Sequence, residues 1–145
     1  MTDFYEKINN PNLPPSTNIS GWWLYAAKPK LKDFTSSRDT GKWCIFKDCH
    51  EIDEAWAKIK KACENGDLIV AKVATALGAL THNDTHVICV YNYSWKDSEE
   101  IQKIRNTLFD MGFTEPLKYK RDIDTINNVY GEKEWFIDEA IHKTP

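Results

Sequence analysis

The chain has 145 residues, of which 41% are hydrophobic and 28% are charged, and its net charge is −3. This length corresponds to one domain that can bury roughly 70% of its unfolded surface without disulfides or metal ions. The weakly acidic charge excludes a molecule steered as a whole to DNA or to an acidic membrane, so any phosphate contact must be a local basic site.

The N-terminal residues lack the apolar segment of a signal peptide, and no apolar stretch is long enough to span a membrane. We therefore expect a cytoplasmic protein without a membrane partner. The four cysteines fit no zinc spacing, and Cys44 and Cys89 lie in apolar, strand-like runs. We expect buried, reduced thiols rather than disulfides or metal ligands, and we predict no metal site and no cofactor.

Proline and asparagine dominate residues 1–20, which predicts an extended N-terminal arm. Residues 21–145 are predicted to form a single α+β domain. Its first strand is predicted over 22–27, where Trp22 and Trp23 are adjacent and must face opposite sides of a sheet. A loop over 31–40 then leads to a second strand over 41–46.

The hydrophobic period then changes from two to between three and four. Apolar residues from Ile52 to Cys63 predict an amphipathic helix that begins near Asp48 and ends at Gly66. A second helix is predicted after Asp97 or Ser98, with a buried stripe formed by Ile101, Ile104, Leu108 and Met111.

Strands are predicted over 68–75 and 86–91 between the two helices, and over 117–120 after them. The run over 86–91 is almost continuously apolar, so we place it at the centre of the sheet. Residues 121–131 are interpreted as an irregular segment, and 134–137 as an edge strand. Two strands before each helix predict an antiparallel sheet with helices packed on one face.

Several segments of the chain together resemble the Bles family, named after a basophilic leukaemia-expressed protein. They are Gly41-Lys42-Trp43, Ile52-Asp53-Glu54-Ala55-Trp56, Gly66-Asp67-Leu68 with Ala71-Lys72-Val73, His86-Val87-Ile88-Cys89-Val90-Tyr91, and Leu117-Lys118-Tyr119-Lys120 with Asp122 and Thr125. The family is similar in fold to translation initiation factor 4E, which implies a curved antiparallel sheet with helices on its convex back.

That initiation factor holds a methylated guanine between two tryptophans, with a glutamate beside one of them. The corresponding loop over 31–40 has neither tryptophan nor glutamate, and only Asp33 and Phe34 resemble a base-contacting pair. The resemblance therefore implies the fold and not cap recognition. A naming link to phosphothreonine lyases also implies Lys72 as a base and His86 as an acid.

Lys72 is the first candidate for a functional residue, because apolar residues flank it on both sides of its strand. Such a lysine is costly to bury unless it faces a cleft or has a partner. It is interpreted either as a phosphate ligand or general base, or as a lysine that reaches solvent or pairs with Asp122 or Asp124.

The other candidates are basic, aromatic or turn residues, each with an ordinary structural explanation. Lys118 and Lys120 share a face by alternation and are interpreted either as lining one anion site with Lys72 or as facing solvent. Asp122 and Thr125 are either ligand contacts or turn-forming residues. We expect His86 to be a surface residue at a strand end. The remaining binding candidates are Arg121, Arg38 and Trp22.

Three hypotheses follow from these residues. The first is a non-catalytic binding domain that holds a phosphate-bearing ligand, such as a nucleotide or RNA end, on the concave sheet face. The second is a lyase-like enzyme acting on a phosphorylated protein or nucleotide, with Lys72 as its base and His86 as its acid. The third is a module that binds a protein partner on its helical face.

Overall fold

The computed structural model describes residues 10–31 and 34–126. Within them lie five strands and four helices, together with one 3-10 turn at Leu80–His82. The strands are β1 (Trp23–Ala27), β2 (Gly41–Lys47), β3 (Val70–Ala74), β4 (His86–Asn92) and β5 (Lys118–Arg121). The helices are α1 (Ile52–Glu64), α2 (Ala76–Ala79), α3 (Ser98–Asp110) and α4 (Asp122–Ile126).

The strands form one sheet in the order β1-β3-β4-β2-β5, and every neighbouring pair is antiparallel. β4 lies at the centre, as its continuous apolar sequence predicted. The connection from β3 to β4 contains α2 and the 3-10 turn, so these two strands form a hairpin with a long, structured loop. The predicted fold class is confirmed, while similarity to initiation factor 4E stays a prediction.

Helix α1 forms because its apolar residues recur on one face. All six members of that stripe are buried: Ile52, Ala55, Trp56, Ile59, Ala62 and Cys63. The Asp48 side chain accepts a hydrogen bond from the backbone N–H of Glu51, at 3.0 Å, in the turn that precedes the helix. The chain leaves α1 through Gly66 at φ +85°, a conformation that glycine adopts without a steric penalty.

Helix α3 begins at the predicted cap, where the Asp97 carboxylate accepts from the backbone N–H of Glu100. Ile101, Ile104 and Leu108 are buried and Met111 is partly buried. Both long helices pack on the same side of the sheet, α1 against β1 and β3 and α3 against β4. Trp43 fixes α3 there by donating its indole N–H to the Ile101 carbonyl at 3.1 Å.

Residues 10–20 contain several turns and pack on the helical side. Both the backbone N–H and the hydroxyl of Ser16 donate to the Asp53 carboxylate of α1. The arm and the domain boundary at residue 21 stay predictions.

The interpretation of residues 121–131 as irregular is wrong for its first part. Helix α4 begins directly after β5, with two carboxylates in its first turn, which the positive end of the helix dipole favours. Arg121 clamps this turn by donating two hydrogen bonds to Asp124, at 2.9 and 2.8 Å. The edge strand predicted over 134–137 lies outside the described residues.

Candidate functional site

The sheet has one face under the helices and a second face on which lysines, cysteines and aromatic rings are placed together. In β2, alternation turns Trp43 and Ile45 to the helices and Lys42, Cys44 and Phe46 away from them. The strand registers extend this face across the sheet. We call it the lysine face, and its members are Trp23, Tyr25, Lys72, Cys89, Tyr91, Lys42, Cys44, Phe46, Lys118 and Lys120.

Lys72 lies near the middle of the lysine face, between Tyr25 of β1 and Cys89 of β4. Its ammonium nitrogen stands 3.9 Å from the centroid of the Trp23 ring and 5.9 Å from that of Tyr91. Among the described residues no carboxylate lies within 4.0 Å of this nitrogen, so neither expected partner, Asp122 or Asp124, forms an ion pair with it.

The pKa of Lys72 is lowered from its ordinary value of 10.5. Burial is the largest cause, and the positive charge of Lys42 adds to it, while the Cys89 thiol and Asp122 act in the opposite direction. A cation–π contact with tryptophan compensates only part of the cost of desolvating an ammonium group. Lys72 is therefore a half-buried cation that an external anion would stabilise.

Lys42 has the opposite electrostatic environment, although it lies on the same face. Its ammonium nitrogen is 2.6 Å from a carboxylate oxygen of Asp122, which is buried. Burial lowers the pKa of Lys42, but the hydrogen bond and charge of Asp122 outweigh it, so the pKa is raised overall. The Asp122 carboxylate also accepts hydrogen bonds from the hydroxyls of Ser36 and Thr40.

Thr125 lies 3.4 Å from the Lys42 ammonium group, so Asp122 and Thr125 meet at one lysine. The structure thus brings both residues to the rim of the lysine face as partners of Lys42. This is a side-chain network between distant segments, and not the local turn chemistry that was weighed for Asp122.

Lys118 and Lys120 lie on the lysine face, as alternation in β5 predicted. Lys118 is opposite Cys44, and its nitrogen stands 5.7 Å from the centroid of the Phe46 ring. Lys120 is opposite Lys42 and is buried. Tyr119, between them, is fully buried in the core on the other side, as strand alternation requires.

The two arginine candidates lie elsewhere, beside Trp95. Arg121 is opposite Gly41 in the sheet and therefore turns away from the lysine face. Its guanidinium carbon stands 4.8 Å from the centroid of the Trp95 ring, whose indole N–H donates to the Arg38 carbonyl. Arg38 is exposed. The structure thus groups Arg38, Arg121 and Trp95 apart from Lys72.

The expectation that His86 is a surface residue is wrong. His86 is buried, and its Nδ1 is 2.7 Å from the carbonyl oxygen of Ala74. It faces Lys47 in the register and shares the side of Ile88, which is the helical side of the sheet. Lys72 and His86 consequently project from opposite faces and are not brought together.

The tryptophan on the lysine face is Trp23, whereas Trp22 was the candidate. Neither ring is buried under the helices. Trp22 precedes β1 and is 55% exposed, and Trp23 is partly buried beside Lys72.

Sequence reasoning also missed Lys42, Tyr91 and the two cysteines of the lysine face as site residues. The alternation of β2 was the available signal for Lys42 and Cys44. Phe34 of the 31–40 loop reaches this surface, with its ring centroid 5.8 Å from that of Tyr91 and 5.5 Å from that of Tyr93. Asp33 lies outside the described residues.

A protein-family model, described as Basophilic leukemia-expressed protein Bles03, matches residues 35–126. This match covers more than half of the chain and includes β2 to α4. The chain belongs to the Bles03 family. The matched range contains Lys42, Lys72 and both lysines of β5, so most of the lysine face lies within the part of the chain that matches the family.

Two further structural observations concern the part of the chain that the structure describes. No helix in residues 10–31 and 34–126 is long and apolar enough to cross a membrane. The same residues contain no cluster of three or more histidine, cysteine, aspartate or glutamate side chains arranged to hold a metal ion. The cytoplasmic location stays a prediction.

Proposed function

We propose that the lysine face of this Bles03-family domain binds a phosphate-bearing ligand, such as a nucleotide or an RNA end. The observation that carries the proposal is Lys72, a half-buried ammonium group with a lowered pKa and no carboxylate within ion-pair distance in the described chain. A bound phosphate would supply the missing negative charge and raise the pKa of this lysine.

The positive charge of the face supports an anion rather than a neutral ligand. Of the four lysines, Lys42 is neutralised by Asp122, whereas the charge of Lys72 has no matching carboxylate within residues 10–31 and 34–126. Lys118 lies along the same row of the sheet, separated from Lys72 by β4 and β2. Strand spacings of about 4.8 Å place these two backbones roughly 14 Å apart, a span that two long lysine side chains can bridge around a phosphate-bearing molecule.

The aromatic rings support a ligand that also carries a flat ring. Trp23 and Tyr91 flank Lys72, and Tyr25 and Phe46 are 67% and 50% exposed at the two sides of the face. Stacking of a base on an aromatic side chain contributes about 1–3 kcal/mol and tolerates different bases. A nucleotide would combine this stacking with phosphate neutralisation.

The lyase-like alternative receives support from one residue and not from the other. The lowered pKa of Lys72 favours a general base. His86, however, is held by the Ala74 carbonyl on the opposite side of the sheet. A phosphopeptide lyase would need another acid, so binding is the function that we favour. A protein partner on the helical face stays a prediction.

The test is a titration of the full chain with inorganic phosphate, nucleotides, cap analogues and phosphothreonine peptides, followed by tryptophan fluorescence and thermal shift. We expect at least one phosphate compound to quench fluorescence and to raise the unfolding temperature. Loss of one charge-assisted hydrogen bond costs about 1.5–3 kcal/mol, so Lys72→Met is expected to weaken binding roughly 10-fold to 100-fold.

The matched control is Lys58→Met, which removes a half-exposed lysine on α1 that lies 3.9 Å from Glu54. It changes the net charge equally but lies on the helical side, so binding is expected to stay at the wild-type level. Equal weakening by both variants would show a nonspecific charge effect, and unchanged binding in Lys72→Met would refute the proposal. Release of a dephosphorylated product by the wild type would favour the enzyme instead.

A further inference from the structure

Two of the four cysteines are direct neighbours across the centre of the sheet. Cys44 of β2 is paired with Cys89 of β4 in the antiparallel register, and both side chains project to the lysine face. Neither is part of a disulfide, and the two thiols are hydrogen-bonded to each other. The sheet thus brings together two cysteines that are 45 positions apart in the sequence.

This placement matches the geometry that a disulfide requires. Residues directly opposite in an antiparallel pair have Cα atoms about 4.5–5.5 Å apart. Disulfides span Cα distances of about 4.4–6.8 Å. The pair can therefore form a bond between its sulfur atoms without a change in strand register.

Positive charge surrounds the pair on three sides. Lys72 is opposite Cys89 in β3, Lys118 is opposite Cys44 in β5, and Lys42 precedes Cys44 by two positions on the same face. The pKa of Cys89 is lowered, first by the hydrogen bond from Cys44 and then by the charges of Lys42 and Lys72, which together outweigh the effect of burial. A thiolate is the species that attacks disulfides.

The other two cysteines differ from this pair in ways that make them internal controls. Cys63 is fully buried in α1, and burial raises its pKa to about 12. Cys49 is exposed in the loop before α1. Cys44 and Cys89 are also buried, but 8% and 4% of their surfaces stay accessible, whereas Cys63 has none.

We propose that Cys44 and Cys89 form a redox-active dithiol that small disulfides, such as oxidised glutathione, convert reversibly to an intramolecular disulfide. The Cys89 thiolate attacks one sulfur of the small disulfide, which gives a mixed disulfide and releases one thiolate. Cys44 then loses its proton to solvent and attacks the Cys89 sulfur, which forms the protein disulfide and releases the second thiolate. The protein loses two electrons, and the small disulfide is reduced to two thiols.

Oxidation would also change the charge beside Lys72. The lowered pKa of Cys89 favours its negatively charged thiolate in the reduced pair, whereas the disulfide is neutral. The lysine face would then present more net positive charge in the oxidised protein. The disulfide itself does not depend on ligand binding, so this inference stands or falls independently of the proposed function.

The experiment incubates the folded, full-length protein in buffers with graded ratios of reduced to oxidised glutathione. Remaining thiols are then alkylated in acid-quenched samples, and linkages are mapped by peptide mass spectrometry. We expect one linkage between the Cys44 and Cys89 peptides, with a mass loss of two hydrogen atoms, that disappears when reduced glutathione is restored. Cys63 is expected to be alkylated only after unfolding.

Single substitutions distinguish a reactive pair from two buried thiols. In Cys44→Ser the second step is blocked, so we expect Cys89 to retain a glutathione adduct instead of forming the linkage. The concentration of oxidised glutathione is increased until Cys49 is modified, which shows that the reagent is active. Absence of the Cys44–Cys89 linkage at that point, or its appearance only together with oxidation of Cys63, would overturn the proposal.

Discussion

The ion pair between Lys42 and Asp122 offers a sharp test of the electrostatics of the lysine face. Asp122 is 2% exposed, and its carboxylate accepts hydrogen bonds from the Lys42 ammonium group and from the hydroxyls of Ser36 and Thr40. Asp122→Asn keeps the size of the side chain and removes its charge, which leaves the Lys42 ammonium group largely buried without compensation. Breaking a buried pair in this way costs about 3–5 kcal/mol, a large fraction of the roughly 5–15 kcal/mol that stabilises a domain.

A double-mutant cycle measures the interaction energy between Lys42 and Asp122 separately from the interactions that each makes with its surroundings. Lys42→Met alone leaves the Asp122 charge buried, with only the hydroxyls of Ser36 and Thr40 as donors, and is also expected to destabilise. The double variant Lys42→Met with Asp122→Asn contains neither charge and is expected to recover most of the loss. We expect a coupling energy of at least about 2 kcal/mol from urea unfolding followed by fluorescence and circular dichroism.

The pH dependence of the free energy of unfolding independently tests whether the charge of Lys42 stabilises the folded protein. The folded-state pKa of Lys42 is raised above 10.5, so its stabilising contribution is fully present below that value and is lost as the pH rises through the folded pKa. The difference in unfolding free energy between wild type and Lys42→Met should therefore be constant from neutral pH to about pH 10 and shrink above it.

The exposed pair Lys96–Asp39, at 3.9 Å, serves as the control. Asp39→Asn is expected to change stability little, because exposed ion pairs are screened by solvent. A cost below about 1 kcal/mol for Asp122→Asn, with no coupling to Lys42→Met, would refute the reasoning that the buried pair compensates a desolvated lysine.

Three further variants test other parts of the structure. Lys72→Met should keep or raise the thermal midpoint of the protein without ligand. Burial lowers the pKa of this lysine, so the folded state disfavours its charge. A lower midpoint would contradict this explanation. Arg105→Met removes a fully buried guanidinium group that donates hydrogen bonds to backbone carbonyls, including that of Phe113. We expect it to lower the free energy of unfolding in urea by about 2–4 kcal/mol. A loss of less than about 1 kcal/mol would argue against those hydrogen bonds. Gly41→Ala would overlap the phenol oxygen of Tyr119 and the ring carbon that carries it, and should cost about 1–3 kcal/mol. Unchanged stability would exclude the clash.

Local patterns in the sequence were sufficient for most elements of secondary structure. The helical period from Ile52 to Cys63 determined both the extent of α1 and its buried face. The uninterrupted apolar run of β4 indicated its central place in the sheet, where a strand lies on each side of it. Alternation also placed Lys118 and Lys120 on one face with Tyr119 on the other.

Long-range register decided the chemistry of the lysine face. Alternation states which residues of one strand share a side, but it does not state which strand lies beside it or at which offset. The order β1-β3-β4-β2-β5 brought Cys44 opposite Cys89. The pairing of β2 with β5 brings Asp122 to Lys42 across 80 positions, so the sequence alone did not distinguish the compensated lysine from Lys72.

The histidine and tryptophan candidates show the same limit. The sequence determined that Trp22 and Trp23 point to different sides, but the pairing of β1 with β3 decided that Trp23 meets Lys72. His86 begins its strand after polar residues, which is typical of a surface position. It is buried because the β3–β4 hairpin brings the Ala74 carbonyl to its ring, and a hydrogen bond to a distant backbone leaves no trace in the residues around it.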